Sequence, residues 1–460
     1  MASLDTVLAK IDGNLDSAIA RLLEFVAIPS VSTDPAFKSE CARAADWVAK
    51  ELTGLGFEAS VRPTQGHPMV VGHAKAARPD VPHVLFYGHY DVQPADPLNL
   101  WTSPPFEPRV IDTPTGKQIT GRGTADDKGQ LMTFIEACRA FHETGGLPCH
   151  VTVMLEGEEE TGSPSLPAFI AANKGELRAD LALVCDTLMW DRVTPAITVM
   201  LRGLYLEEVV IKGASRDLHS GMFGGPAVNP IHVLAKIIAD LRGEDGAIAL
   251  PGFYDDVAEL PEDIAEQWHG LRFDGAKFLG DAGLSVPAGE QDRSVLEMLW
   301  SRPTCDVNGI WGGYTDQGSK TVLPAQASAK FSFRLVANQN PEAIQKSFRA
   351  FVRERLPADC KAEFIPHGAS PAIALPFTSE ALDRASRALQ AEWGKQAVLA
   401  GCGGSIPIAG SFKTDLKMDT LMVGFSLEDD CIHSPNEKYE LTSFHKGARS
   451  WARILIALSQ

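Results

Sequence analysis

From His83 onward the chain alternates short apolar runs with stretches whose apolar residues recur at helical spacing, and this rhythm constrains the fold more than any other feature. It is the pattern of parallel strands joined by crossover helices, because a strand buried on both faces has no polar side, whereas a helix lying on it has one. His83–Tyr87 reads as a buried strand. Gln130–Phe141 sets Leu131, Phe134, Ile135, Cys138 and Phe141 on one helical face, and Gly145 and Gly146 end it. Val151–Leu155 and Leu181–Cys185 are the next strands, with a helix between them that starts at Pro164 and runs through Ala172.

The character changes near Met200. Leu204–Ile211 reads as a strand, and Asn229-Pro230 opens a helix carrying Ile231, Leu234, Ile237, Ile238 and Leu241. After a long irregular stretch, Ala329–Val336 alternates, with Phe331, Phe333 and Leu335 on one face and Arg334 on the other. Pro341–Leu356 returns to a helix. A helix near Ser379–Trp393, a strand at Thr420–Gly424 and a helix at Thr442–Leu458 complete the pattern. The fold class expected is α/β: a doubly wound, mostly parallel sheet domain built from residues 1–200 and 371–460, into which 201–370 insert as a smaller α+β, ferredoxin-like domain.

Composition narrows the function classes. With 460 residues, 45% of them hydrophobic, a disordered or fibrous chain is excluded. A formal charge of −17 repels phosphate backbones and anionic lipid, so neither nucleic acid nor membrane is an expected partner. Met1–Leu23 is broken by Asp5, Lys10, Asp12, Asn14, Asp16 and Arg21, and reads as one amphipathic helix rather than a signal peptide or a span. Eight scattered cysteines without a CxxC pair read as reduced structural thiols, and the protein as cytoplasmic.

Each strand is followed by a loop rich in His, Asp and Glu, and in open α/β sheets the functional crevice lies beyond the carboxyl ends of the strands. In His89-Tyr90-Asp91, residues two apart point the same way, so His89 could bind a metal while Asp91 orients its ring from behind; alone, this is an ordinary polar turn. Gly123 and Gly129 flank Asp126, whose two oxygens could bridge two cations, although Asp-Asp-Lys-Gly is also common in turns. Glu158-Glu159-Glu160 at a strand end is harder to explain without cations, since three adjacent carboxylates repel one another. Asp186 follows the third strand, and His433 opens a fifth loop, His433-Ser434-Pro435-Asn436-Glu437. Asp126, Glu160 and Asp186, two neutral imidazoles and a hydroxide would balance a pair of divalent cations.

With these motifs, and Asp217-Leu218-His219-Ser220-Gly221 between them, the chain resembles the zinc-dependent M20 metallopeptidases, in particular their cytosolic dipeptidase and carnosinase-like branch, over nearly its whole length. The resemblance implies that Asp126 bridges two ions, that His89 and Asp186 complete one ligand set, and that Glu160 and His433 complete the other. Zinc is the ion implied, with manganese or cobalt as alternatives. Glu159 would be the general base that activates a water held between the ions and passes its proton to the leaving amine. These parts are set only by aligning on Thr161-Gly162-Ser163; a shift by one would give them to Glu158 and Glu159. A cis peptide after Asp126 is also implied.

By the same resemblance the inserted domain is a lid and dimerisation element, and its His219 reaches a partner subunit's site in a homodimer to stabilise the oxyanion. Arg334 would clamp the substrate's carboxylate, for which a guanidinium fork is well shaped. Thr321, Gly404 and Ser405 would add hydrogen bonds there, and His367 would line the pocket. His232, His269 and His445 read as structural.

The activity implied is hydrolysis of dipeptides or small peptides. A deacylase of N-acyl amino acids or a carboxypeptidase would use the same chemistry, and the long insertion between Gly243 and Gln317 favours the dipeptidase branch by resemblance. A metal-binding scaffold without catalysis would lack a base, whereas Glu159 is present. A nucleotide enzyme is disfavoured because no strand leads into GxGxxG or GxxxxGK[ST].

Overall fold

The computed structural model describes residues 3–404 and 407–460. They divide into two compact units: Met1–Val199 with Leu375–Ala400 and Ser411–Gln460, and Met200–Ala374 with Gly401–Gly410.

The first unit is built on a mixed sheet in the order Glu58–Arg62, Met69–Ala74, His150–Glu156, His83–His89, Leu181–Val184, Asp419–Met422, Ala196–Leu201. The four central strands, from His150–Glu156 to Asp419–Met422, run parallel, and the strands flanking them are antiparallel. Helices cover both faces. Successive strand residues point opposite ways; Phe86 stacks on Phe134 of helix Lys128–Thr144 at 3.8 Å and meets Trp451 of helix Leu441–Leu458 edge-on, while Tyr87 meets Phe412 on the other side. The parallel strands therefore lie between helical layers, with their carboxyl ends at one rim.

The second unit carries an antiparallel sheet in the order Thr304–Gly312, Gln326–Leu335, Gly203–Lys212, Lys361–Ser370. Tyr205, Val209 and Ile211 join Phe331, Phe333 and Leu335 on the buried face, packed with Leu234 and Ile237 of helix Pro230–Asp240 and Phe348 of helix Pro341–Glu354. Asn229 caps the first of these helices, its side chain accepting from the Ile231 amide at 2.9 Å.

Several local expectations change. The N-terminal helix is two, Leu4–Gly13 and Leu15–Val26, broken at Asn14. The helix expected from Pro164 spans Leu166–Leu177, with Pro167 rather than Pro164 in its first turn. The stretch read as irregular before Ala329 contains helices Glu262–Gly270, Gly275–Asp281 and Val295–Trp300 and the strand Thr304–Gly312.

Candidate metal centre

His89 ends its strand and is buried; Asp126 lies in the loop before helix Lys128–Thr144; Asp186 follows strand Leu181–Val184; Glu160 follows strand His150–Glu156; and His433 lies in the loop before strand Lys438–Glu440. Local geometry explains why glycine recurs beside them. At Gly88 a Cβ would sit 2.8 Å from the Asp127 carboxylate, and at Gly123, whose φ is +86°, it would sit 2.5 Å from Val92. The peptide between Asp126 and Asp127 is cis.

The side chains form two groups that share one member. His89, Asp126 and Asp186 offer ligand atoms all within 4.8 Å of one another, and so do Asp126, Glu160 and His433. Asp126 turns Oδ1 to His89 Nε2 at 3.0 Å and Oδ2 to His433 Nε2 at 2.9 Å, while Asp186 Oδ2 lies 3.9 Å from His89 and Glu160 Oε2 3.2 Å from His433. His89 Nε2 is buried yet lacks a well-aligned hydrogen bond, which is costly for a polar atom unless it has another kind of partner. Its other nitrogen, Nδ1, is engaged by the Asp91 carbonyl at 3.1 Å, which fixes Nε2 as the atom facing the group. The donor set of imidazole and carboxylate fits a pair of divalent ions.

The Asp91 carboxylate reaches beyond this ring. Its Oδ1 accepts from the Glu159 amide at 3.3 Å, and Oδ2 from the Glu160 amide at 3.1 Å and the Ser32 hydroxyl at 2.6 Å. Asp91 thereby orients the glutamate turn as well as the His89 side. Within that turn Glu158 is committed elsewhere, its carboxylate accepting from the amides of His67 and Ser165. Glu160 faces His433 and also accepts from Gln93. Glu159 is half-buried and belongs to neither ligand group.

Electrostatics report the same crowding of negative charge. Burial raises the Glu159 carboxyl, with Glu160, Asp126 and Asp91 adding to the rise against the pull of His89. Burial, Asp126 and Asp127 push Asp186 well above the ordinary range. Hydrogen bonds to Asp126 and Glu160 raise His433 to about 10, and His89 is raised despite its burial by Asp126 and Asp91. These shifts reflect burial and crowded carboxylates, a negative charge that a pair of cations would offset.

In the sequence Glu437 is only the last residue of the His433 motif, yet its buried carboxylate receives Arg122 and three backbone amides of the Asp126 loop. Nothing in the residue types signalled this, because the partners are mostly main-chain groups.

The remaining candidates lie in the second unit. His219 is exposed, ends the short strand Leu218–His219, and accepts the Gly221 amide on Nδ1 at 3.0 Å. Thr321 is exposed next to the paired Val322 and accepts the Ser220 amide on its carbonyl. Arg334 is half-buried on strand Gln326–Leu335. Gly404 is exposed, and His367 lies at a bulge with Nε2 3.3 Å from Glu208. Ser405 lies outside the described residues.

Against known proteins, the profile of Peptidase family M20/M25/M40 matches residues 85–457. Over 464 residues the chain is 32% identical to the Cys-Gly metallodipeptidase dug1 of Schizosaccharomyces pombe, covering 97% of this chain and 96% of that protein. It is 30% identical over 478 residues to the Beta-Ala-His dipeptidase of Homo sapiens, covering 100% of this chain and 93% of that one. Among solved structures it is similar to the M20 family metallo-carboxypeptidase Sso-CP2 from Sulfolobus solfataricus, with TM-score 0.79 and 28% identity over 96% of this chain and 99% of that chain.

Proposed function

The chain belongs to peptidase family M20/M25/M40, and from that premise we propose that it is a two-ion dipeptidase cleaving the amide bond of dipeptides or small peptides. The observation that carries this reading is the pair of three-residue groups sharing Asp126. Full-length similarity to a Cys-Gly and a Beta-Ala-His dipeptidase favours small peptides over acyl amino acids. Similarity to a metallo-carboxypeptidase keeps that activity as the second reading.

When bound, two divalent ions, zinc in this reading, would supply the Lewis acidity that activates water and polarises the scissile carbonyl. His89 and Asp186 would hold one ion, Glu160 and His433 the other, and Asp126 both. Glu159, desolvated and free of either group, would take the proton from the attacking water and return it to the departing amine. Asp91 would keep both the His89 ring and the glutamate turn in place.

Arg334 would bind the substrate carboxylate, and Thr321, Gly404, Ser405 and His367 would add further contacts to the substrate. We read residues 201–370 as a lid and dimerisation domain and the protein as a homodimer. Because Nδ1 of neutral His219 accepts an amide, its proton sits on Nε2, a donor suited to an oxyanion in a neighbouring copy. All eight cysteines are free thiols, which supports a reducing cytoplasmic setting, and no helix among the described residues is long and apolar enough to cross a membrane.

The direct test is a panel of dipeptides, N-acyl amino acids and longer peptides, run with and without chelator alongside elemental analysis. Expected are two divalent ions per chain and chelator-sensitive cleavage of dipeptides ahead of the other classes. Turnover untouched by complete metal removal would overturn the reading; preference for long peptides trimmed from the carboxyl end would favour the carboxypeptidase.

A further inference from the structure

Behind the ligand groups lies a buried ion pair to which the chemistry above gives no role. Arg122 and Glu437 are both almost fully buried, joined Nη1 to Oε2 at 2.6 Å. Such a pair is weak evidence for stability, since desolvation offsets much of the attraction, so what else the two groups hold decides their meaning.

Glu437 spends both oxygens on one loop. Oε2 also accepts from the Gly123 amide at 2.8 Å, and Oε1 from the amides of Ala125 at 2.8 Å and Asp126 at 3.1 Å. Arg122 reaches back, Nη2 donating to the carbonyls of Ser434 at 3.2 Å and Pro94 at 3.4 Å. The carboxylate thus sits on the segment that carries His433 and its donors on the segment that carries Asp126, while the guanidinium returns the tie beside His433. That segment needs restraint: Cys431, His433 and Asn436 have φ of 56°, 60° and 66°, a region non-glycine residues hold only where their surroundings over-determine it.

We propose that Arg122 and Glu437 are positioning residues that fix the spacing between Asp126 and His433, so that the shared aspartate and the histidine are prebuilt as ligands to the second ion. The proposal rests on the two-ion reading. Because the amide of Asp126 is itself one of Glu437's donors, slackening the pair displaces the residue common to both groups.

The test titrates Co(II) alone into the metal-stripped full-length chain, followed by visible absorption, with a thermal melt of each apo protein. Glu437→Gln keeps the shape but turns an NH2 group toward donors, and Arg122→Lys keeps the charge but loses the fork that also reaches Ser434. Wild type should take two equivalents; each variant should melt cooperatively, bind at least one equivalent roughly 10- to 100-fold more weakly, and show an altered absorption band. Wild-type chain that takes fewer than two equivalents would sink the two-ion reading and the clamp with it. Two equivalents in wild type together with unchanged affinity and band in both variants would overturn the clamp alone. If Glu437→Gln does not fold, Arg122→Lys decides by the same criterion; collapse of both would mark the pair as a folding element and also overturn the proposal.

Discussion

Three adjacent glutamates of identical chemistry end in different surroundings, and the surroundings separate what they can do. Glu158 accepts backbone amides, Glu160 faces His433, and Glu159 is left desolvated among other carboxylates. As a base Glu159 must be ionised, and Glu159→Gln removes the proton acceptor while keeping the shape of the side chain. The same variant should retain both ions by elemental analysis and lose roughly 100- to 10,000-fold in kcat; near-normal turnover would remove Glu159 from the base role. At this scale the sequence offered His89, Glu160 and Asp186 because each comes at or just after the end of an apolar strand and bears a side chain suited to a metal, whereas Asp126 and His433 stood out through the motifs around them. It was silent on Glu437, whose work is done on main-chain amides, and it separated the three glutamates only by resemblance, because their difference lies in neighbours distant along the chain, such as His67, Gln93 and His433.

Strands and helices were legible where burial imposes a strict pattern and obscure where pairing overrides propensity. The apolar run at His83–His89 and the periodic face of Lys128–Thr144 announce themselves, and their contact is the stack of Phe86 on Phe134, both fully buried. Phe86→Ala should therefore lower unfolding free energy by about 3–5 kcal/mol in urea titrations, with apo and metal-loaded protein both affected. Strand Thr304–Gly312, by contrast, carries Asp306, Asn308 and Gly309 and a register shift between Val307 and Gly309; it is a strand because Gln326–Leu335 supplies its hydrogen bonds. Lys361–Ser370 is likewise an edge strand interrupted near Pro366 and Gly368. At the edge of the larger sheet, Glu176 of helix Leu166–Leu177 accepts from Arg62 and engages His73, tying two strands to the helix, and the Arg62 hydrogen bond leads in lowering its carboxyl to about 2. A depressed carboxyl stabilises the fold above its unfolded pKa and loses that contribution as pH falls through the folded value. The stability of wild type should thus slope between pH about 4.5 and 2 more steeply than that of Glu176→Gln, though modestly, because the group is well solvated; parallel slopes would deny Glu176 this role.

For the whole molecule, metal and fold are thermodynamically linked. An ion that binds only the folded chain stabilises it by about 4 kcal/mol at a free concentration roughly 1,000 times its Kd, so chelation should lower the melting temperature and readdition of zinc should restore it. The two units raise a separate question, because the ligand groups lie in one and His219 in the other. His219 is exposed, and its Nδ1 accepts the Gly221 amide within its own turn. If it donates to the oxyanion of a neighbouring copy, His219→Ala and Glu159→Gln chains are each inactive for a different reason: the first lacks the donor it would lend, the second the base it would use. In a mixed dimer one site would then combine an intact Glu159 with an intact His219 from the other chain, while the second site has neither. Co-refolded or co-expressed chains carrying different tags, purified on both, should recover up to about half the activity of wild-type dimer per dimer, since removing an oxyanion donor costs roughly 100- to 1,000-fold. Tagged heterodimers no more active than either parent would assign His219 to its own chain's site or to none.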